Sequence, residues 1–213
     1  MDAVAHPRLS RYLRSLPDGL LSHPECEGKA SMYREALAKA PKRLELGGLP
    51  PLLADYVTEP VPMSSWIPEV INSAVYLAIA DQMFKNDDLF LEWVGKVSDD
   101  VFQHPAYRVL MVVASPQRLA NGAERRWAQF HTGTSYEAKI GSNGVESKIT
   151  YPDHLFDRLV LRASARAIQS AYRASGAKTC IVEVTACGTN EALLRSIWDP
   201  SKETVAHSAR PHG

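Results

Sequence analysis

The hydrophobic spacing of this chain changes once, near Gly133, and that change constrains its fold more than any other feature. Before it, apolar residues recur at helical intervals; after it, they alternate. A repeat of 3.6 marks one face of a helix and a repeat of 2 marks one face of a strand. Phe90, Trp93, Val94, Val97 and Val101 form one helical stripe, and Leu119, Ala123, Trp127 and Phe130 another. Beyond Gly133, Tyr136, Ala138 and Ile140 alternate with Glu137 and Lys139. Val145, Ser147, Ile149 and Tyr151 alternate with Glu146, Lys148 and Thr150. A Gly141-Ser142-Asn143-Gly144 turn joins the two runs, which predicts a β-hairpin. A helix from Pro152-Asp153 to about Ser175 follows, stopped by Gly176. A second hairpin over Lys178–Ala186 and Glu191–Trp198, turning at Gly188-Thr189-Asn190, completes the pattern.

The prediction is therefore an α+β chain. An N-terminal helical half is followed by β-hairpin, helix and β-hairpin, which form a four-stranded antiparallel sheet. One helix on one face of that sheet would bury both apolar surfaces. In the helical half, Ser31–Ala40 reads as a helix stopped by Pro41, and Leu52–Val57 as a short one. Another runs from about Ser65 to Phe84 with Pro68 in its first turn. Asn86-Asp87-Asp88 caps the next. A further helix is expected from His104-Pro105 to Ala114, and Ser115 with Pro116 reads as an N-cap followed by N1. Residues 1–198 are expected to be a single domain and 199–213 a flexible tail.

Charge and length narrow the functions. Over 213 residues, 24 Lys+Arg balance 24 Asp+Glu. That neutrality argues against a nucleic-acid surface, which needs excess positive charge. No apolar run approaches the ~20 residues of a membrane span. The N-terminus lacks a secretory apolar run, so the expectation is a cytoplasmic protein. The three cysteines, Cys26, Cys180 and Cys187, read as free thiols. Cys180 and Cys187 sit at opposite ends of one predicted strand, roughly 23 Å apart, too far to share a metal. No metal site is expected. Phosphate-loop, dinucleotide, nucleophile-elbow and Cys-x-x-Cys patterns are missing from the sequence.

Tyr107, Trp127, Phe130, His131 and Tyr151 cluster around the change from helix to strand, and are the candidate ligand-binding residues. Such aromatic residues pack a core or enclose an apolar ligand between helices and sheet. His131, at a predicted helix end, reads either as a cation on the helix dipole or as a general base. His154 beside Asp153 reads as a solvated helix start or an acid/base pair. Arg125-Arg126 reads as a solvated face, and Arg108 as a residue in need of a buried partner.

Two resemblances bear on function. The run from His104 to Leu119 (HPAYRVLMVVASPQRL), Gly122 to Trp127 and Phe130 to Gly133 resemble a myxobacterial paralogous family with no established function. Leu16-Pro17, Gly19-Leu20, Pro24-Glu25-Cys26, Trp66 to Val70 and Trp198 belong to the same likeness. The order of helices, hairpin, helix and hairpin also resembles haem-nitric-oxide/oxygen-binding domains and 4-vinyl-reductase-type ligand-sensing domains. In the haem-binding group, a Tyr-x-Ser-x-Arg motif after the first hairpin grips the propionates. The corresponding stretch here is Tyr151 to Leu155. Asp153 replaces the hydroxyl residue and Leu155 the arginine, which removes the bidentate clamp. The proximal-histidine position falls near Gly122, away from His104 and His131. On those grounds haem is disfavoured and no cofactor is expected.

The resulting expectation is a non-catalytic regulatory or sensory domain that binds a small apolar or aromatic ligand or a protein partner, with a symmetric homodimer expected. One alternative is a biosynthetic enzyme of cyclase or isomerase type, with His131 or Asp153/His154 as base. The other is a protein–protein adaptor without ligand, which would carry a large exposed apolar patch.

Overall fold

The computed structural model describes residues 4–103, 115–141 and 144–199. The predicted helix from His104 to Ala114, with Tyr107 and Arg108, lies outside the described residues. So do the tip of the first hairpin and the chain beyond Asp199.

Pro7 opens the first helix, α1 (Pro7–Ser15), at the one place where its missing N–H costs nothing. The free N–H groups of that turn are satisfied from elsewhere in the chain. Arg8 N and Leu9 N donate to the two oxygens of Asp81, at 3.1 and 3.0 Å. Two short strands follow, β1 (Glu27–Lys29) and β2 (Trp66–Pro68), paired antiparallel with Gly28 opposite Ile67. Each runs directly into a helix: β1 into α2 (Ala30–Lys39) and β2 into α4 (Glu69–Met83), with α3 (Pro51–Thr58) between. This small sheet was not expected. Three-residue strands carry too few alternations to register as a period. The strand also shifts the fourth helix start from the expected Ser65 to Glu69.

Helix α4 is buried on nearly every side, from Val70 through Ala80. It is the axis of the helical half, in contact with α1, α2 and α3. Helix α5 (Asp87–Gln103) buries Phe90 and Val94 of the predicted stripe, and Leu91 beside them. Ser115 caps α6 (Pro116–Asn121) as expected, accepting from Arg118 N at 3.3 Å. The stripe from Leu119 to Phe130 is not one helix. Gly122 breaks it, and α7 (Ala123–Trp127) follows. Arg126, expected on a solvated face, turns back to cap α6 and donates to Leu119 O at 2.7 Å.

The second half follows the predicted order. Strands β3 (Ser135–Ile140), β4 (Gly144–Thr150), β5 (Cys180–Cys187) and β6 (Glu191–Trp198) form one antiparallel sheet ordered β3-β4-β6-β5. Tyr136, Val145, Ile149, Val182, Ala192, Leu194 and Trp198 are buried on its inner face. Helix α8 (Arg158–Ala174) covers that face and packs its other side on α5. Ser170 Oγ donates to Gly95 O across the helix pair, and Gln169 Oε1 accepts from Val182 N.

Helix α8 starts later than Pro152. Asp157 is its N-cap, accepting from Leu159 N at 2.7 Å. Residues 152–157 instead form a turn that buries Leu155 and Phe156 and holds His154 at φ 63°. Burying two large apolar side chains outweighs one more helical turn. Among the described residues, no helix is long and apolar enough to cross a membrane.

Candidate functional site

The chain crosses from the helical half to the sheet between Trp127 and Ser135. The bend is tight: Phe130 N and His131 N both donate to Trp127 O at 2.9 Å. It folds the His131 ring back onto the Trp127 ring, stacked at 3.8 Å between centroids and 17° between planes. The backbone here extends the small sheet. Lys29 N donates to Phe130 O, Thr132 N donates to Glu27 O, and His131 bridges Gly28. Gly133 then turns the chain at φ 68°, close against Cys26.

That placement brings His131 Nδ1 to 3.0 Å from Glu69 Oε2, with side-chain exposures of 10 % and 4 %. Glu69 stands in the first turn of α4, where a carboxylate also suits the helix dipole. The pair needs a glycine opposite it. A Cβ on Gly28 would overlap the Glu69 carboxylate and the Asn72 carboxamide. The expected role of His131 as a cation on its own helix end gives way to a partner from another helix.

An aromatic cluster spreads from this pair into the sheet. Trp127 Nε1 donates to Thr134 Oγ1 at 2.9 Å, and its ring stacks on Tyr136 at 5.4 Å. Phe156 meets three rings edge to face: Tyr151 at 5.1 Å, His131 at 6.2 Å and Trp127 at 6.4 Å. The Tyr151 hydroxyl donates to Gly188 O at 3.3 Å and lies 4.0 Å from Cys187 Sγ. Burial, reinforced by Cys187, pushes its phenol well above the ordinary tyrosine range.

Of the candidate residues, the structure thus joins Trp127, His131 and Tyr151 through Phe156. Phe130 is 41 % exposed and engages through its backbone rather than its ring. Tyr107 lies outside the described residues. Asp153 and His154 are both exposed, and no hydrogen bond joins them. Sequence reasoning did not single out Phe156 or Glu69. For Glu69 a signal existed: it is the one charge in the apolar run from Trp66 to Ala80, and a charge placed there needs a partner.

Two open clefts adjoin this cluster, one lined by Tyr151 and the other by Phe156. One, of about 380 Å³, lies by Gly133, Ser135 and Thr150. The other, of about 320 Å³, lies between α1, the 152–157 turn and the β5–β6 turn. Tyr12 and Phe156 line the second, with Arg158, His154, Cys187 and Thr189 around them. Both volumes are near the lower end of small-molecule sites. The Tyr12 hydroxyl donates to Leu155 O at 2.6 Å, and burial raises its phenol pKa. Among the described residues, no group of three or more His, Cys, Asp or Glu could hold a metal.

No family model and no curated protein matches the sequence. Solved structures do match the fold. An H-NOX protein from K. algicida in its unliganded Fe(II) form superposes with a TM-score of 0.50 at 9 % identity. The match covers 82 % of this chain and 98 % of that one. A point mutant of a K. algicida H-NOX protein gives 0.50 at 9 % identity over 80 % and 96 %. An oxygen-binding H-NOX domain related to soluble guanylate cyclases gives 0.46 at 10 % identity over 93 % and 95 %. The α+β architecture is shared with the two K. algicida structures. The likeness to a myxobacterial family rests on the sequence runs alone.

This finding corrects the expectation that no cofactor is bound and that haem is disfavoured. The fold is shared with the two K. algicida H-NOX structures, both described as Fe(II) forms, so haem is a ligand class to be tested. The described residues do not complete a haem site. His131 is stacked on Trp127 and joined to Glu69, and the Tyr151 hydroxyl is turned to Gly188 O. Leu155 is fully buried without a polar group to offer a propionate. His104 lies outside the described residues.

Proposed function

We propose that this protein is a non-catalytic sensory or regulatory domain. It takes a small ligand against Tyr12 and Phe156 and passes the event to the joint between its halves. One observation carries the reading. Phe156 lines the open cleft and also contacts Tyr151, His131 and Trp127. A ligand that displaces this ring changes the packing of the His131–Glu69 pair, which ties α4 to the strand side. Coupling of that kind requires the ligand to favour one packing arrangement over the other. The H-NOX likeness supports the reading at the level of fold. His131 could act as a general base only through Nε2, since Glu69 engages its Nδ1.

The test is native mass spectrometry and an absorption spectrum of the full chain purified from its own source. A retained organic mass, or a Soret band, identifies the ligand class. A bare polypeptide mass that gains nothing from a hydrophobic extract and nothing from added haem removes the reading.

A further inference from the structure

The cleft between α1, the 152–157 turn and the β5–β6 turn has two chemically different parts. Its inner part is aromatic: Tyr12 and Phe156, both buried residues with a surface toward the cleft. Phe156 offers no polar atom, and the Tyr12 hydroxyl is occupied by Leu155 O. A flat apolar body is what such a surface accepts.

The outer part is cationic. Arg158 is exposed and makes no ion pair or side-chain hydrogen bond among the described residues. His154 stands at the same rim, held there by its backbone N–H, which donates to Thr189 O at 2.6 Å. The one acidic group lining the cleft, Asp157, is already committed. Its Oδ1 caps Leu159 N at 2.7 Å and its Oδ2 faces Arg11 Nη2 at 3.7 Å. The guanidinium of Arg158 therefore has no acidic partner of its own. A planar guanidinium binds a carboxylate through two parallel hydrogen bonds, which a point charge does not match.

We infer that this cleft binds a small carboxylic acid with a flat apolar body, the body against Tyr12 and Phe156 and the carboxylate on Arg158. The inference rests on the sensory reading only in placing ligand entry at this cleft, and it adds the chemical class.

Cys187 makes the cleft readable. It lines the cleft and is the exposed thiol, while Cys26 and Cys180 are buried. Alkylation of the full chain with iodoacetamide, a neutral reagent, is followed by intact mass with benzoate or benzamide present. Benzoate is expected to slow alkylation of Cys187 by about tenfold at ten times its Kd, since only the free cleft reacts. Benzamide, the same body without the charge, is expected to leave the rate unchanged. In Arg158→Gln, a change at an exposed side chain, benzoate is expected to lose its effect. Equal protection by benzoate and benzamide overturns the acid class while leaving a ligand at this cleft. Protection by neither overturns the cleft assignment, and the native-mass experiment then judges the sensory reading separately. Undiminished benzoate protection in Arg158→Gln overturns the role given to that guanidinium.

Discussion

His131 Nδ1 lies 3.0 Å from Glu69 Oε2, although 62 positions separate the two residues in the chain. The contact joins the first turn of the central helix to the segment that leads into the sheet. Both side chains are nearly out of water, so neither can lose the other cheaply. Removing one member of a buried pair leaves an unpartnered polar group. Glu69→Ala and His131→Ala are each expected to cost about 3 kcal/mol. In urea unfolding, the double variant is expected to cost less than the sum. Additive losses would mean the two residues do not act as a pair.

Gly28 serves that pair by having no side chain. Gly28→Ala places a methyl group against Glu69 and Asn72, and forced overpacking of this kind costs about 1–3 kcal/mol. Gly133→Ala meets Cys26 and also strains a backbone at φ 68°. Thermal melts of both variants are expected below the parent. A melt of Gly28→Ala equal to the parent would show that the Glu69 side chain can move aside.

Asp81 caps α1 from another helix. It accepts from the N–H groups of Arg8 and Leu9 and pairs with the Arg8 guanidinium at 3.2 Å, with its side chain fully buried. Asp81→Ala is expected to destabilise the protein by about 3 kcal/mol. Hydrogen exchange is the sharper measurement. Protection is expected to fall first at the amides of α1, and a uniform fall across the chain would contradict the cap.

Alkaline pH is expected to weaken the fold. Burial pushes the Cys26 thiol up to about 11, with Glu25 and Glu69 adding to it, and burial raises Cys180 to about 11 as well. In the unfolded chain a thiol ionises near ~8.5. Between those values the unfolded chain has released protons that the folded chain keeps, so stability falls as pH rises. This contribution is complete below about pH 8.5 and is lost as pH passes the folded values. Cys26→Ala is expected to flatten the decline in urea midpoint above that point. An unchanged slope in that variant would remove the thiol from the account.

Local pattern made much of this protein readable. The change of period at Gly133, the Ser115 cap and the last strand, Glu191–Trp198, all stand where the residues place them. Each depends on neighbours within a few positions. The later start of α8 was also legible in principle, because Asp157 before Arg158-Leu159 is a better cap than Pro152-Asp153. The three-residue strands β1 and β2 were not, since each exists only because the other lies beside it.

By itself, then, the sequence determined the order and type of the elements from β3 onward and the inner face of each of those four strands, because backbone geometry turns spacing into direction. Which distant side chains meet was decided by the tertiary structure alone. Phe156 against three rings, Asp81 on a helix it does not belong to, and Glu69 beside His131 all arise when layers close. Pairing energy in a dry interior depends on distance in space, and residue spacing along the chain carries no record of that distance.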